Sequence, residues 1–396
     1  MLLPMLVVPV IGTPFDREIN VLHLLAPLTI AAWLLRKIVV DRDLRLPRSG
    51  FAKPIGALLV IWVVTSITGY LFWDVRVPTD HRQPLFFVAE FGQLLLFIGV
   101  FYVTLDTVRD EKWILAVCAA AIAGKVLGVL FFGHLLYIQY PVVLGLVLAF
   151  LAFGKVPPGV KALLCVAIVF FAWDIWAVDR LPIYLMVGAI VLLVALLRSR
   201  RLFLVALAIT VALGALYLPP LWQAESSVGS RLLLAKLALA TFRDHPVFGV
   251  GPTQYRSYAL IYHHGVGFGG WDRVETGLLL PHDVWLYFLA CMGVTGALGI
   301  LWLVDALFWT AWSAYRRATE WFVRTLAVAL LAAVTGVLIQ SAGGHVAFLP
   351  DYTERQIYML PFWVLAGLMG ARQSATARSG RPRPNDVGGL DDTIQR

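Results

Sequence analysis

Apolar runs of about 18 residues or more succeed one another along nearly the whole chain, separated by short polar stretches. Runs of that length and character suit helices that cross a hydrocarbon layer. Twelve spans are expected, near 1–12, 20–38, 52–72, 85–105, 113–133, 135–153, 161–178, 181–197, 202–218, 282–308, 324–343 and 356–371, the first and sixth being short. One interval breaks this rhythm: the 63 residues 219–281 between the ninth and tenth spans. Inside it, SRLLLAKLALATFRDH has helical spacing with Leu234, Leu237, Ala238 and Phe242 on one side. Ser226 or Ser227 is the expected N-cap, and His245-Pro246 the end. The expected organisation is therefore 1–218 (nine spans), 219–281 (a helical loop subdomain), 282–371 (three spans) and 372–396 (a polar tail rich in Gly, Pro and Arg, expected to be disordered). MLLPMLVVPVIGTP lacks a basic leader and a small-residue cleavage motif, so it reads as a retained span.

Composition agrees with the pattern. The 396 residues are 60% hydrophobic and 14% charged, against nearer half and a quarter in soluble domains. The fold class is all-α and polytopic. A formal charge of +8 could suggest nucleic acid, but the basic residues sit in alternate short loops: Arg36 to Lys53, Arg109 and Lys112, Lys155 and Lys161, Arg198 to Arg201, Arg316 to Arg324, and the tail. Placing those loops in the cytoplasm makes all twelve spans alternate, with both termini inside and the 219–281 loop outside. No nucleic-acid partner is expected. Cys118, Cys165 and Cys291 are isolated in apolar segments and form no metal or disulfide pattern.

Four residues could carry chemistry. Arg231 is expected in the first turn of the loop helix, where a cation opposes the helix dipole. An anion shared between its guanidinium and the free backbone N–H groups would explain the position; a surface or headgroup arginine is the simpler alternative. Arg180, in WAVDRLPIYLMVG, falls between spans seven and eight as an anion ligand, an ion pair with Asp179, or an interfacial anchor. Pro281 suits the first position of span ten, placing His282 in its first turn, where the dipole keeps the ring neutral and able to accept a proton. A packing role for that histidine stays open. Lys125 lies deep in span five and could pair with Glu90 or Asp174, or contact a phosphate. His263-His264 and Asp41-Arg42-Asp43 are weak metal signals, and no metal ion or cofactor is expected.

Two stretches in order, SRLLLAKLALATFRDHPVFGVGP and PHDVWLYFLACMGVTGALG, resemble the "R…hP…GvG" and histidine-plus-glycine-helix elements of the O-antigen ligase and polymerase superfamily. They cover about a quarter of the chain, and the large loop between late spans extends the likeness. The resemblance implies a GT-C-like helical fold in the bacterial inner membrane, with a periplasm-facing site. Its implied activity is inverting, metal-independent transfer of a glycan from undecaprenyl diphosphate to a hydroxyl of lipid A–core oligosaccharide, in lipopolysaccharide biosynthesis. By motif, His282 becomes the catalytic residue and Arg231 a diphosphate ligand. Arg180, in DRLP where the family has an SRG-like element, is a less secure second ligand; Lys125 is counted with them. The alternative within the family is a polymerase joining lipid-linked repeat units. Outside it, twelve spans would also suit a secondary transporter, although the candidate residues gather at one face rather than at the midplane.

Overall fold

A computed structural model describes residues 9–12, 18–75, 77, 83–132, 139–178, 180–224, 227–255, 257–259, 283–342 and 359–379. Helices dominate: α1 (Val21–Val39), α2 (Ala52–Leu71), α3 (Gln83–Thr107), α4 (Glu111–Phe132), α5 (Tyr140–Phe153), α6 (Pro158–Val178), α7 (Leu181–Arg198), α8 (Arg200–Ala224), α9 (Ser227–Asp244), α10 (Val284–Arg317), α11 (Trp321–Ser341) and α12 (Leu360–Ser379). Among the described residues, seven of them are long and apolar enough to cross a membrane: α2, α3, α4, α6, α7, α10 and α11. The protein is membrane-embedded and polytopic. Helix α5 has 14 residues, about 21 Å at ~1.5 Å per residue, short of a ~30 Å hydrocarbon core.

Their outer surfaces suit lipid. On α6, Leu163, Val166, Val169, Trp173 and Trp176 are all more than half exposed, an apolar stripe that water would penalise and acyl chains would not. Inside the bundle, α11 is the central helix and packs on α5, α7 and α10, while α12 lies on α3. Every residue from Leu326 to Val334 is 1% exposed or less. Small side chains permit that closeness: a Cβ on Gly145 of α5 would stand 3.0 Å from the Ala329 carbonyl oxygen.

Direction follows from the connections. Single residues or tripeptides join α3 to α4, α7 to α8 and α10 to α11, too short to recross the bundle, so these neighbours run antiparallel. The Tyr315 hydroxyl donates to the Leu197 carbonyl at 2.7 Å, and the rings of Phe153 and Tyr315 meet at 6.2 Å. The C-terminal ends of α5, α7 and α10 thus share one end of the bundle. Arg198, Arg316 and Arg317 mark this as the basic end. Arg180, at the start of α7, and Asp283, at the start of α10, therefore share the opposite end.

Three expectations need correction. Residues 9–12 are not the end of a helical span: Pro9–Gly12 is a strand paired antiparallel with Glu18–Asn20. Pro9, without an N–H, suits a strand end better than a helix interior, and residues 1–8 lie outside the described part. The strand pair leads directly into α1 at Val21. The tail is the second. Backbone helix continues to Ser379, because QSATARS contains no Gly or Pro and extends a helix already anchored; residues 380–396 are outside the described part. Third, α10 begins at Val284 with Asp283 as its N-cap, whose carboxylate accepts from the N–H groups of Trp285 (2.8 Å) and Leu286 (3.1 Å). A carboxylate caps better than the Pro-His pair before it; the expected place of His282 in a first turn falls outside the described residues.

Candidate functional site

Two stretches far apart in the sequence, Pro246–Gly251 and the first part of α10, interlock. Helix α10 is interrupted at Gly293, whose φ of 63° and ψ of −159° belong to a region open to glycine alone. A break of this kind orphans two carbonyls and two amides, an expensive state inside a membrane. Here Pro246–Gly251 supplies partners for two carbonyls and two amides of the break. The Val250 N–H donates to the Ala290 carbonyl (3.1 Å) and the Gly251 N–H to that of Cys291 (2.7 Å). In return, the N–H of Val294 donates to Pro246 (2.9 Å) and that of Thr295 to Val247 (3.3 Å). Within an unbroken helix, Val294 and Thr295 would have bonded to those same two carbonyls, Ala290 and Cys291.

Local sequence explains how the segment reaches the break. The His245 N–H still bonds to Thr241 as the last turn of α9, and Pro246 ends the helix. Gly249 then turns at φ 64°, where a Cβ would collide with the Cys291–Met292 backbone. After the turn, Gln254 bridges the Val250 carbonyl and the Tyr70 N–H (3.1 Å) at the end of α2, and the Tyr258 hydroxyl accepts from the Asp74 N–H at 3.0 Å. The loop is thereby clamped between α2, α9 and α10.

A cavity of about 220 Å³ opens between this loop and α2, lined by Thr68, Phe72, His245, Val247, Phe248 and Tyr258 among others. Its walls are mostly apolar, and His245 stands half-buried at its edge with its ring 5.3 Å from that of Tyr258. Sequence reading used His245 only as a helix end; its place inside the HPVFGVG motif was the available signal. Behind the loop, burial pushes the Tyr255 phenol well above its ordinary pKa, with Cys291 adding to the effect. Among the described residues its hydroxyl has no hydrogen-bond partner. Burial also raises the Asp283 carboxyl, opposed by its two backbone N–H donors.

No match to this chain emerges from a scan of protein-family models or from a search of curated proteins.

The four expected site residues fall in different places. His282 lies outside the described residues, as do His263-His264, but it adjoins the Asp283 cap. Arg231 is the fifth residue of α9, just past the free N–H groups of the first turn in which it was expected; its side chain is outside the described part. Arg180 is exposed and caps α7 in an extended conformation, its carbonyl accepting from Ile183 (3.0 Å) and Tyr184 (3.3 Å). Lys125 is elsewhere, with no exposed surface. Its ammonium pairs with Asp174 of α6 at 3.6 Å and rests 4.0 Å from the centre of the Tyr140 ring. Of the two carboxylates open in the sequence, Asp174 is the one at ion-pair distance. In this arrangement Lys125 ties α4, α5 and α6 together and presents nothing to a bulky diphosphate. The Asp41-Arg42-Asp43 turn is exposed, with Asp41 near Arg36 (3.7 Å) and Asp43 accepting from the Arg45 N–H (2.9 Å). Among the described residues, no three His, Cys, Asp or Glu side chains gather as a metal site would require.

Proposed function

We propose that this protein is a membrane glycosyltransferase of the O-antigen ligase type. It moves a glycan from undecaprenyl diphosphate to a hydroxyl of lipid A–core oligosaccharide at the outer face of a bacterial inner membrane. The observation that carries the reading is the interlock at Gly293. Two stretches that resemble consecutive family elements in sequence meet as one backbone assembly in space, and His282 lies two residues before the helix of that assembly. Arg180 is at the same end of the bundle, and the basic helix ends at the other end support a cytoplasmic face there.

In the proposed reaction, the acceptor oxygen attacks the anomeric carbon as the bond to the diphosphate oxygen breaks. The electron pair leaves with undecaprenyl diphosphate, and the acceptor proton passes to His282. Attack opposite the leaving group inverts the anomeric centre. Arg180 and Arg231 hold the diphosphate oxygens, stabilising charge that grows as the bond breaks; a guanidinium fork matches such oxygens. Neither metal nor cofactor takes part. Lys125 is assigned to the scaffold on its pairing with Asp174.

A second reading has one observation in its favour. A fully buried Lys–Asp pair within membrane helices is also a feature of ion-coupled transport. Purified protein supplied with undecaprenyl-diphosphate-linked glycan, with and without lipid A–core, separates the cases. Product formed only with lipid A–core is the expected result. Lengthening of the glycan without it would mean a polymerase, and no transfer under either condition would favour transport.

A further inference from the structure

At the basic end, three arginines from three helices converge on one aromatic ladder. The Phe153 ring of α5 meets Tyr315 of α10 edge-on at 89°, and Tyr315 continues to Trp312 at 5.8 Å. The Arg324 guanidinium of α11 lies 4.8 Å from the Tyr315 ring and 5.9 Å from that of Phe153. Arg198 of α7 approaches Phe153 to 5.8 Å, and Arg316 approaches Trp312 to 5.9 Å. Two guanidiniums thus share a single ring. Among the described residues, none of the three arginines has a carboxylate within ion-pair distance. Glu320, the acidic residue beside them in sequence, is instead engaged by Arg372.

Like charges held close without a counter-ion repel, and stacking on rings fixes them without neutralising them. A guanidinium held near a ring face in this way keeps N–H groups available for phosphate oxygens. The hydroxyl bond from Tyr315 to Leu197 joins α10 to α7 here, so the helix positions that carry Arg198 and Arg316 are held side by side. The end of a membrane bundle is where lipid headgroups lie.

We propose that Arg198, Arg316 and Arg324 form a binding site for an anionic phospholipid headgroup carrying two phosphates. A headgroup with two phosphates can engage guanidiniums from two different helices at once, one phosphate on each. This site is at the opposite end of the bundle from the Gly293 interlock and does not depend on the glycosyltransferase reading.

The test is native mass spectrometry of the full chain released from nanodiscs that contain phosphatidylethanolamine, a single-phosphate anionic phospholipid and the diphosphate phospholipid cardiolipin. Wild type should retain one cardiolipin in preference to the single-phosphate lipid. Arg198→Gln with Arg324→Gln should lose about tenfold or more in apparent affinity, given ~1 kcal/mol per basic residue near an anionic surface. Arg200→Gln with Arg201→Gln removes the same charge from neighbouring exposed positions and should leave retention near the wild-type level. Equal losses from the two pairs, or equal retention of the two anionic lipids, would overturn the proposal and leave only a diffuse positive surface. Should the glutamine pair fail to fold, Arg198→Lys with Arg324→Lys preserves charge and removes the fork. Partial loss is then expected, and full retention would overturn the site.

Discussion

Replacing Gly293 by alanine should unfasten the interlock while leaving the apolar content of α10 unchanged. The residue stands at φ 63° and ψ −159°, a region that costs a non-glycine residue about 1–3 kcal/mol. Space is refused as well. The new methyl would lie 2.6 Å from the Pro246 carbonyl oxygen and nearer still to the Val247 carbonyl. Those two carbonyls accept the hydrogen bonds of Val294 and Thr295, so the methyl can enter only by displacing them. Losing two such bonds adds roughly 1–3 kcal/mol at ~0.5–1.5 each, for a total of about 2–6 kcal/mol. Gly56→Ala is the control: it is also in a membrane helix but has nothing within 4 Å of the added methyl, and should be neutral or slightly stabilising. Thermal unfolding in detergent, with hydrogen exchange read at Val250, Gly251, Val294 and Thr295, measures both. Gly293→Ala should melt several degrees lower and lose protection at those four amides. If it melted with wild type and kept its protection, the hydrogen-bond exchange between loop and helix would be refuted.

Other expectations follow from the same geometry. Lys125→Met alone strands Asp174 in the bundle and should cost about 3–5 kcal/mol, whereas Lys125→Met with Asp174→Leu should recover most of it; melting of the two proteins side by side decides, and a double variant no better than the single would contradict the buried pair. Asp283 gives a pH signature. Its folded pKa is raised by burial from 3.8, so the folded state holds the proton longer, and stability should fall as pH climbs from that value through the folded one. Asp283→Asn, which keeps a cap acceptor, should flatten this slope in melting curves taken across the acid range; an unchanged slope would assign it to another group. In the transfer assay, Arg180→Gln should lower kcat/KM by about 100-fold and Arg180→Lys should restore only part of it. Wild-type kcat/KM in the glutamine variant would remove Arg180 from the site.

The helices were legible in the sequence because membrane spans announce themselves locally, by length and apolarity, and α9 because its face is periodic. What escaped was set by distant partners. The spacing of Gly293, Gly296 and Gly299 is visible, but which of them breaks the helix depends on Pro246–Gly251, over forty residues earlier and joined to it by backbone hydrogen bonds. Backbone bonds leave no trace in side-chain pattern. The choice of Asp174 over Glu90 as the partner of Lys125 likewise rests on how α4 and α6 pack, and both carboxylates sit in equally apolar runs. An apolar stretch such as Pro9–Gly12 is compatible with helix or strand, and Pro9 and the pairing with Glu18–Asn20 select the strand there. The tail continued as helix because nothing before Gly380 stops it.

Transfer of a lipid-linked glycan at the end of the bundle that holds Asp283 is the central claim, with His282 as the base. The most direct measurement is single-turnover transfer from undecaprenyl-diphosphate-linked glycan to lipid A–core by purified protein, comparing wild type with His282→Ala and checking by melting that both are folded. The account requires product from wild type and a loss of about 100-fold or more in the variant, the scale of positioned acid–base catalysis. A folded His282→Ala protein that transfers glycan at the wild-type rate would contradict it.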